Sequence, residues 1–259
     1  MIPAGLIQFE ASLWLWIFAA VRPGAAFLIA PLFGAPSVPM QLRLVVAMAL
    51  GMPALAAGNV ALPPDGLMSL TGVLAIAGEA TAGLAIGLAT QIGFAAALSA
   101  GETISNAMGL GFAAMADPMT GAPNPAIGQF LSMVALFIFL GAGGHLSLAS
   151  IIAESYVALP AGKAWLGHDA VGSLVDFGGV ILAAGIVIAM PVAFALVLVQ
   201  IGMGVLTRSA PAMNLFAVGM PAASLAGILL LAMALPAMAG SIELAITDGL
   251  DMARTLAGG

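Results

Sequence analysis

Cysteine is absent from this 259-residue chain. That absence removes disulfides and thiolate metal sites and leaves the redox compartment open. Charge is scarce as well. Asp, Glu, Lys and Arg make up 6% of the residues, against about 25% in a soluble globular domain. So little charge cannot cover a protein in water. The five basic residues are Arg22, Arg43, Lys163, Arg208 and Arg254, and the net charge is −6. They are too few for the basic patch that nucleic acid requires. Histidine occurs only as His145 and His168, without ligand spacing, so no metal site is expected. No Lys or Arg precedes Arg22, and Glu10 lies in that stretch. A cleaved signal peptide needs a basic first region, so the first apolar run is expected to stay in the mature protein. GxSxG, HExxH, Walker A and GxGxxG patterns are all missing, as is any catalytic pair for an intramembrane protease. The chain reads as a non-enzyme without a cofactor.

What the chain has is apolar surface. Hydrophobic residues make up 63% of it, and its mean hydropathy is +1.19. The apolar stretches are continuous rather than alternating, which excludes a transmembrane β-barrel and predicts an all-α membrane protein. Six runs reach or approach the length of about 20 residues that a spanning helix needs: roughly 9–34, 44–62, 67–99, 127–155, 174–207 and 214–240. The second is the shortest and is interrupted by Pro53. Arg22-Pro23, Pro31, Pro36 and Pro39 predict a kinked first helix and a stiff loop over 32–42. Pro63-Pro64-Asp65-Gly66 is a turn signal. Gly83 and Gly87 form a GxxxG, which lets helix backbones approach closely. Basic residues between the runs divide two against two, so they do not set a topology.

The segment from Gly101 to His145 is dense in Gly, Pro, Asn and Met. Ile104, Met108, Phe112, Met115 and Met119 fall on one helical face, predicting a helix from Glu102 to about Ala116 that stops before Pro118. Glu102, at the start of such a helix, would suit its dipole. Asp117-Pro118 and Thr120-Gly121 supply turns, and Asn124-Pro125 begins another helix. This pattern fits a connecting loop packed on a core. It fits equally a pliable thioether constriction that closes a pore, because methionine repacks around varied surfaces and hydrophobic constrictions gate by dewetting.

Arg22, Glu79 and His145 lie in or beside apolar runs, where ionisable groups are costly. One reading makes them a proton relay. The other, favoured because Glu79 is the only clear mid-run carboxylate where proton-driven transporters carry paired acids, pairs Arg22 with a carboxylate such as Glu79 or with helix carbonyls. Glu102 and His145 could meet across the central hairpin. Gly141, Gly143 and Gly144 predict a helix break just before His145. Broken helices with mid-run Arg22 and Glu79 would also suit a small-solute secondary transporter.

Three stretches resemble the FliR family of the bacterial type III export gate and its injectisome relatives. The first runs from Arg22-Pro23 through Pro31-Leu32-Phe33-Gly34 and Pro39 to Arg43. The second comprises Gly101-Glu102, Met108-Gly109-Leu110, Asp117-Pro118, Gly121, Phe130 and Gly144-His145. The third, the most specific, holds Arg208, Pro211, Asn214, Gly219 and Pro221. Asn106 stands near a position where the family pattern has Gln.

The resemblance implies a single FliR-like domain over 1–259, with 1–175 FliP-like and 176–259 FliQ-like. It implies long kinked helical hairpins, packed with FliP-like and FliQ-like subunits into a helical export gate in the bacterial inner membrane, at the centre of the flagellar basal body. FlhB-like and FlhA-like export proteins, unfolded export substrates and membrane lipid would be its other partners. A plug would lie about Asn106 to Pro123, formed by Met108, Gly109, Leu110, Gly111, Phe112, Met115, Asp117, Pro118, Met119 and Gly121. Arg22, Pro31, Arg43, Glu102 and His145 would serve structure or assembly, together with the third stretch.

Overall fold

The structure is a computed structural model that describes residues 4–110, 126–163, 166–209 and 219–258. Nine helices are seen among these residues. They are α1 (Ala4–Ala19), α2 (Val21–Ile29), α3 (Met40–Ala56), α4 (Leu70–Ala107), α5 (Ala126–Gly141), α6 (Gly144–Ala158), α7 (His168–Phe177), α8 (Val180–Ser209) and α9 (Met220–Ala257). The described residues form no sheet, only one isolated parallel bridge between Val60 and Ala161. This is the all-α membrane architecture that the continuous apolar runs predict.

The structure does not confirm six spans. Among the described residues, four stretches are long and apolar enough to cross a membrane, or five if α5 and α6 make one broken span. The second run fails because α3 has only 17 residues and contains Pro53. It ends at Ala56, and Gly58 follows with φ +71°. The first run is bent, as expected, and the cause is specific. Pro23 has no N–H to give the carbonyl four residues earlier, so Ala19 loses its helical donor and α1 gives way to α2 at Ala20. Gly143 has φ +72°, a left-handed conformation that costs glycine little, and there α5 ends and α6 begins. The Pro63–Gly66 turn closes with the Gly66 N–H on the Pro63 carbonyl at 3.0 Å.

The central helix differs from the sequence reading. No break separates the third run from Glu102. α4 runs unbroken from Leu70 and ends at Ala107; the predicted helix beyond Leu110, to about Ala116, lies outside the described residues. Glu102 therefore lies in the last turns of a 38-residue helix, where a negative charge gains nothing from the dipole. Gly109, with φ +79°, donates its N–H to Asn106 O at 3.0 Å and closes that end.

Two compact units divide the chain. The first comprises Met1–Ile92, Leu140–Gly178 and Thr247–Gly259; the second comprises Gly93–Phe139 and Gly179–Ile246. In the first, α4 crosses α2 at Gly83 and Gly87. A Cβ at either would collide with the Arg22 or Ala26 carbonyl, which is the close approach expected of the GxxxG. In the second, Gly101 of α4 lies against the Gly128 backbone of α5, and Gly185 of α8 against Ser99. Small residues here set helix separation, as they do where lipid supplies no hydrophobic drive.

Candidate functional site

The polar centre of the first unit is assembled from three sequence-distant segments. Arg22 sits in the first turn of α2 because Pro23 fixes the backbone there. Its guanidinium meets Glu79 of α4 in a two-pronged pair, Nε to Oε2 at 2.9 Å and Nη2 to Oε1 at 3.2 Å. Both side chains are fully buried. Nη1 donates to Ser155 Oγ at 2.8 Å, and Nη2 also donates to the Leu159 carbonyl at 2.7 Å. Glu79 Oε1 accepts a further bond from the Gly162 N–H at 3.0 Å. The guanidinium carbon stands 4.1 Å from the centre of the Tyr156 ring, so a cation–π contact covers its face.

Removing both charges from water is costly, and their attraction compensates only with good geometry and satisfied remaining donors. Here both conditions hold. The cluster also satisfies backbone groups that the broken helices expose. Tyr156 Oη donates to the Ala19 carbonyl at 2.6 Å, replacing the donor that Pro23 lacks. Leu159 caps the end of α6, and Arg22 takes its free carbonyl. Phe18, Ala54, Tyr156 and Ala161 form the apolar jacket around this centre. Such an arrangement holds helices together. Among the described residues the cluster ties α2, α4 and the end of α6 together like a staple.

The other residues singled out by sequence fall as follows. Pro31 is buried at the end of α2. Arg43 ties down the loop beyond it, its Nη2 donating to Ala35 O at 2.6 Å. In that loop Phe33 stacks on Phe27 with ring centres 4.2 Å apart. Glu102 is exposed on α4, in the second unit; His145 is half-buried at the start of α6, in the first. Met108 is 1% exposed, and its Cγ and Sδ lie 2.5 and 2.8 Å from where a Cβ on Gly227 would stand. Gly109 makes the left-handed turn, and Leu110 is 36% exposed. Arg208 is exposed in the last turn of α8, where a cation suits the helix dipole. Gly219 is buried, and Pro221 sits in the first turn of α9, a position proline tolerates. Gly111, Phe112, Met115, Asp117, Pro118, Met119, Gly121, Pro211 and Asn214 lie outside the described residues.

Sequence reasoning found Arg22 and Glu79 but missed Ser155, Tyr156 and the 159–162 backbone. One signal was available: Tyr156 is the chain's sole tyrosine and lies at the edge of an apolar run, where its hydroxyl needs a partner.

Fold and staple together define an all-α membrane protein whose broken helices are satisfied from within. A family model described as bacterial export proteins, family 1, matches residues 13–248. The chain belongs to this family of bacterial export proteins. It is 31% identical over 246 residues to the flagellar biosynthetic protein FliR of Escherichia coli K12, covering 92% of each chain. It is also 31% identical over 242 residues to FliR of Pectobacterium carotovorum subsp. carotovorum, covering 93% of this chain and 91% of that one. The Yop proteins translocation protein T of Yersinia pestis is 31% identical over 165 residues, 63% of each chain.

Proposed function

We propose that this chain is a FliR-type core subunit of the flagellar type III export gate, in the bacterial inner membrane at the basal body. The carrying observation is the 31% identity to a flagellar biosynthetic protein over nine-tenths of both chains. The chain assembles with FliP-like and FliQ-like subunits and meets FlhB-like and FlhA-like export proteins. Residues 1–175 are its FliP-like part and 176–259 its FliQ-like part. Its work is structural: it lines and seals a path for unfolded flagellar subunits and performs no bond chemistry. Complementation of a strain lacking its own FliR, scored by motility and by export of flagellar subunits, tests this. Co-purification of FliP-like and FliQ-like proteins with the tagged chain is the expected companion result. A purified single chain that moves a small solute in liposomes would favour the transporter reading instead.

The seal is the segment from about Asn106 to Pro123, Leu110 among its residues. Met108 is its buried foot, and the Gly109 turn leads the chain away from α4. Gly111, Phe112, Met115 and Met119, with Asp117, Pro118 and Gly121 shaping the loop, close around the passing substrate. Deleting 110–119, or placing charge at Gly109, Gly111 or Met115, should raise ion leak or change export in the assembled gate. Unchanged leak and export together would remove the plug from this account. Similarity to the Yersinia translocation protein favours one second reading, an injectisome gate subunit. Flagellar rod and hook genes beside the coding gene would decide for the flagellum.

A further inference from the structure

We propose that Arg22 and Glu79 form a latch that holds the 159–163 strap shut over the first unit, and that the strap opens locally when the latch is cut. The strap is the connection leaving α6. Two of its backbone groups are held by the ion pair itself: the Leu159 carbonyl by Arg22 and the Gly162 N–H by Glu79. Its remaining hold is at Ala161, which also bridges to Val60. Ala161 donates its N–H to Asn59 O at 2.9 Å and buries its methyl among Phe18, Ala54 and Tyr156. Lys163 N bonds only within the strap, to Pro160 O, and Pro160 and Lys163 are exposed. Gly162 has φ +89°, and Ala61 O lies 2.8 Å from where its Cβ would be. The strap therefore lies flat on the 59–62 segment, itself outside any helix.

The helices beneath do not depend on the pair in the same way. α2 and α4 stay together through the Gly83 and Gly87 crossings, where backbone touches backbone. Loss of the charge pair thus removes two of the strap's backbone anchors, the holds on Leu159 and Gly162, and leaves the helix packing in place. Segments with few apolar contacts and few protected hydrogen bonds open first, at a free energy below that of global unfolding. The first unit accordingly has a closed state and a strap-open state, and one buried ion pair sets the balance.

The absence of native cysteine makes a single introduced thiol an unambiguous reporter. Ala161 is 2% exposed in the first unit, and Ala135 is 0% exposed in the second. A161C and A135C are each introduced into the full chain in its membrane and treated with a membrane-permeant maleimide. Both should react slowly in the parent background. In E79Q, A161C should react at least tenfold faster while A135C stays slow. S155A, which removes one acceptor from Arg22, should raise A161C reactivity by less. An unchanged A161C rate in E79Q overturns the latch. A parallel rise at A135C overturns it too, because the chain would then be opening as a whole. If E79Q does not accumulate in the membrane, S155A decides alone: a selective rise at A161C supports the latch, and no rise overturns it.

Discussion

Among the described residues, the fully buried polar and charged side chains are Arg22, Glu79, Thr90 and Ser155, and all four belong to the first unit. In the second unit the fully buried side chains are apolar, among them Ile104, Met108, Leu131, Phe139, Val192 and Leu196. Its helices also close on glycine, at Gly101, Gly185 and Gly227, as α4 does on α2 at Gly83 and Gly87 in the first unit, but no buried charge is added there among the described residues. The difference follows from how the backbone is broken. The first unit ends helices at Ala19, Ala56 and Ala158, and each end leaves carbonyls without intrahelical donors. In an apolar setting those groups need partners from within the protein. The second unit is built largely from unbroken stretches of α4, α8 and α9, and α8 and α9 run through Pro191 and Pro236. Apart from the Val187 and Ala232 carbonyls opposite Pro191 and Pro236, which lose their helical donors, these helices satisfy their own backbone, so their side chains act mainly by volume. At the end of α4 in the second unit, an uncharged amide supplies the partner: Gln200 donates to the Ala107 carbonyl at 2.5 Å.

If this contrast is correct, charge should matter in one unit and volume in the other. The largest effect belongs to Arg22→Ala, which strands the Glu79 carboxylate and should cost about 3–5 kcal/mol. The double change Arg22→Met with Glu79→Leu should recover only part of that loss, because the Leu159 carbonyl and the Gly162 N–H would still lack their side-chain partners. Membrane levels and denaturant midpoints in detergent would measure both. A double variant as stable as the parent would mean that those backbone bonds contribute nothing.

Next comes Gly101→Leu. Its side chain would be driven into the Gly128 backbone, which cannot yield, so a loss of about 3 kcal/mol is expected. The same unfolding measurement reads it, and a cost near zero would show that α4 and α5 can separate freely. Gly227→Ala should be milder, about 1 kcal/mol, because the obstructing atoms belong to the flexible Met108 thioether. Combining it with Met108→Ala should give a non-additive result, since the two sites share one space. Smallest is Arg254→Ala. Its partner is Asp251, and both side chains are more than half exposed, so the shift should stay below about 0.5 kcal/mol. A shift above that would reveal a role for this helix end beyond a solvated pair.

Local rules made much of the fold legible. Pro23 bends the first run because it lacks an N–H, and Gly143 breaks the fourth because it can take a left-handed backbone. Gly83 and Gly87 admit a neighbouring helix for want of a side chain. Each of these effects acts within a turn or two of its own residue. The pairing of Arg22 with Glu79 was also within reach, because a guanidinium in an apolar run has few alternatives. The rest of the cluster was not. Ser155 and the Leu159 carbonyl lie 133 and 137 residues from Arg22, and nothing local marks a serine or a carbonyl as its partner. Glu102 misled for the opposite reason. A Gly-Glu step at a run boundary looks like a helix start, but packing of Gly101 on Gly128 carried α4 straight through it.

Composition by itself determined the solvent this chain needs. With almost no charge and long apolar runs, it must be all-helical and must sit in lipid or among partners, because only helices satisfy their own backbone there. Which broken ends meet, and which side chains cross between them, was decided by tertiary structure alone. Those bonds join groups far apart along the chain, and their strength exists only once water has been excluded around them.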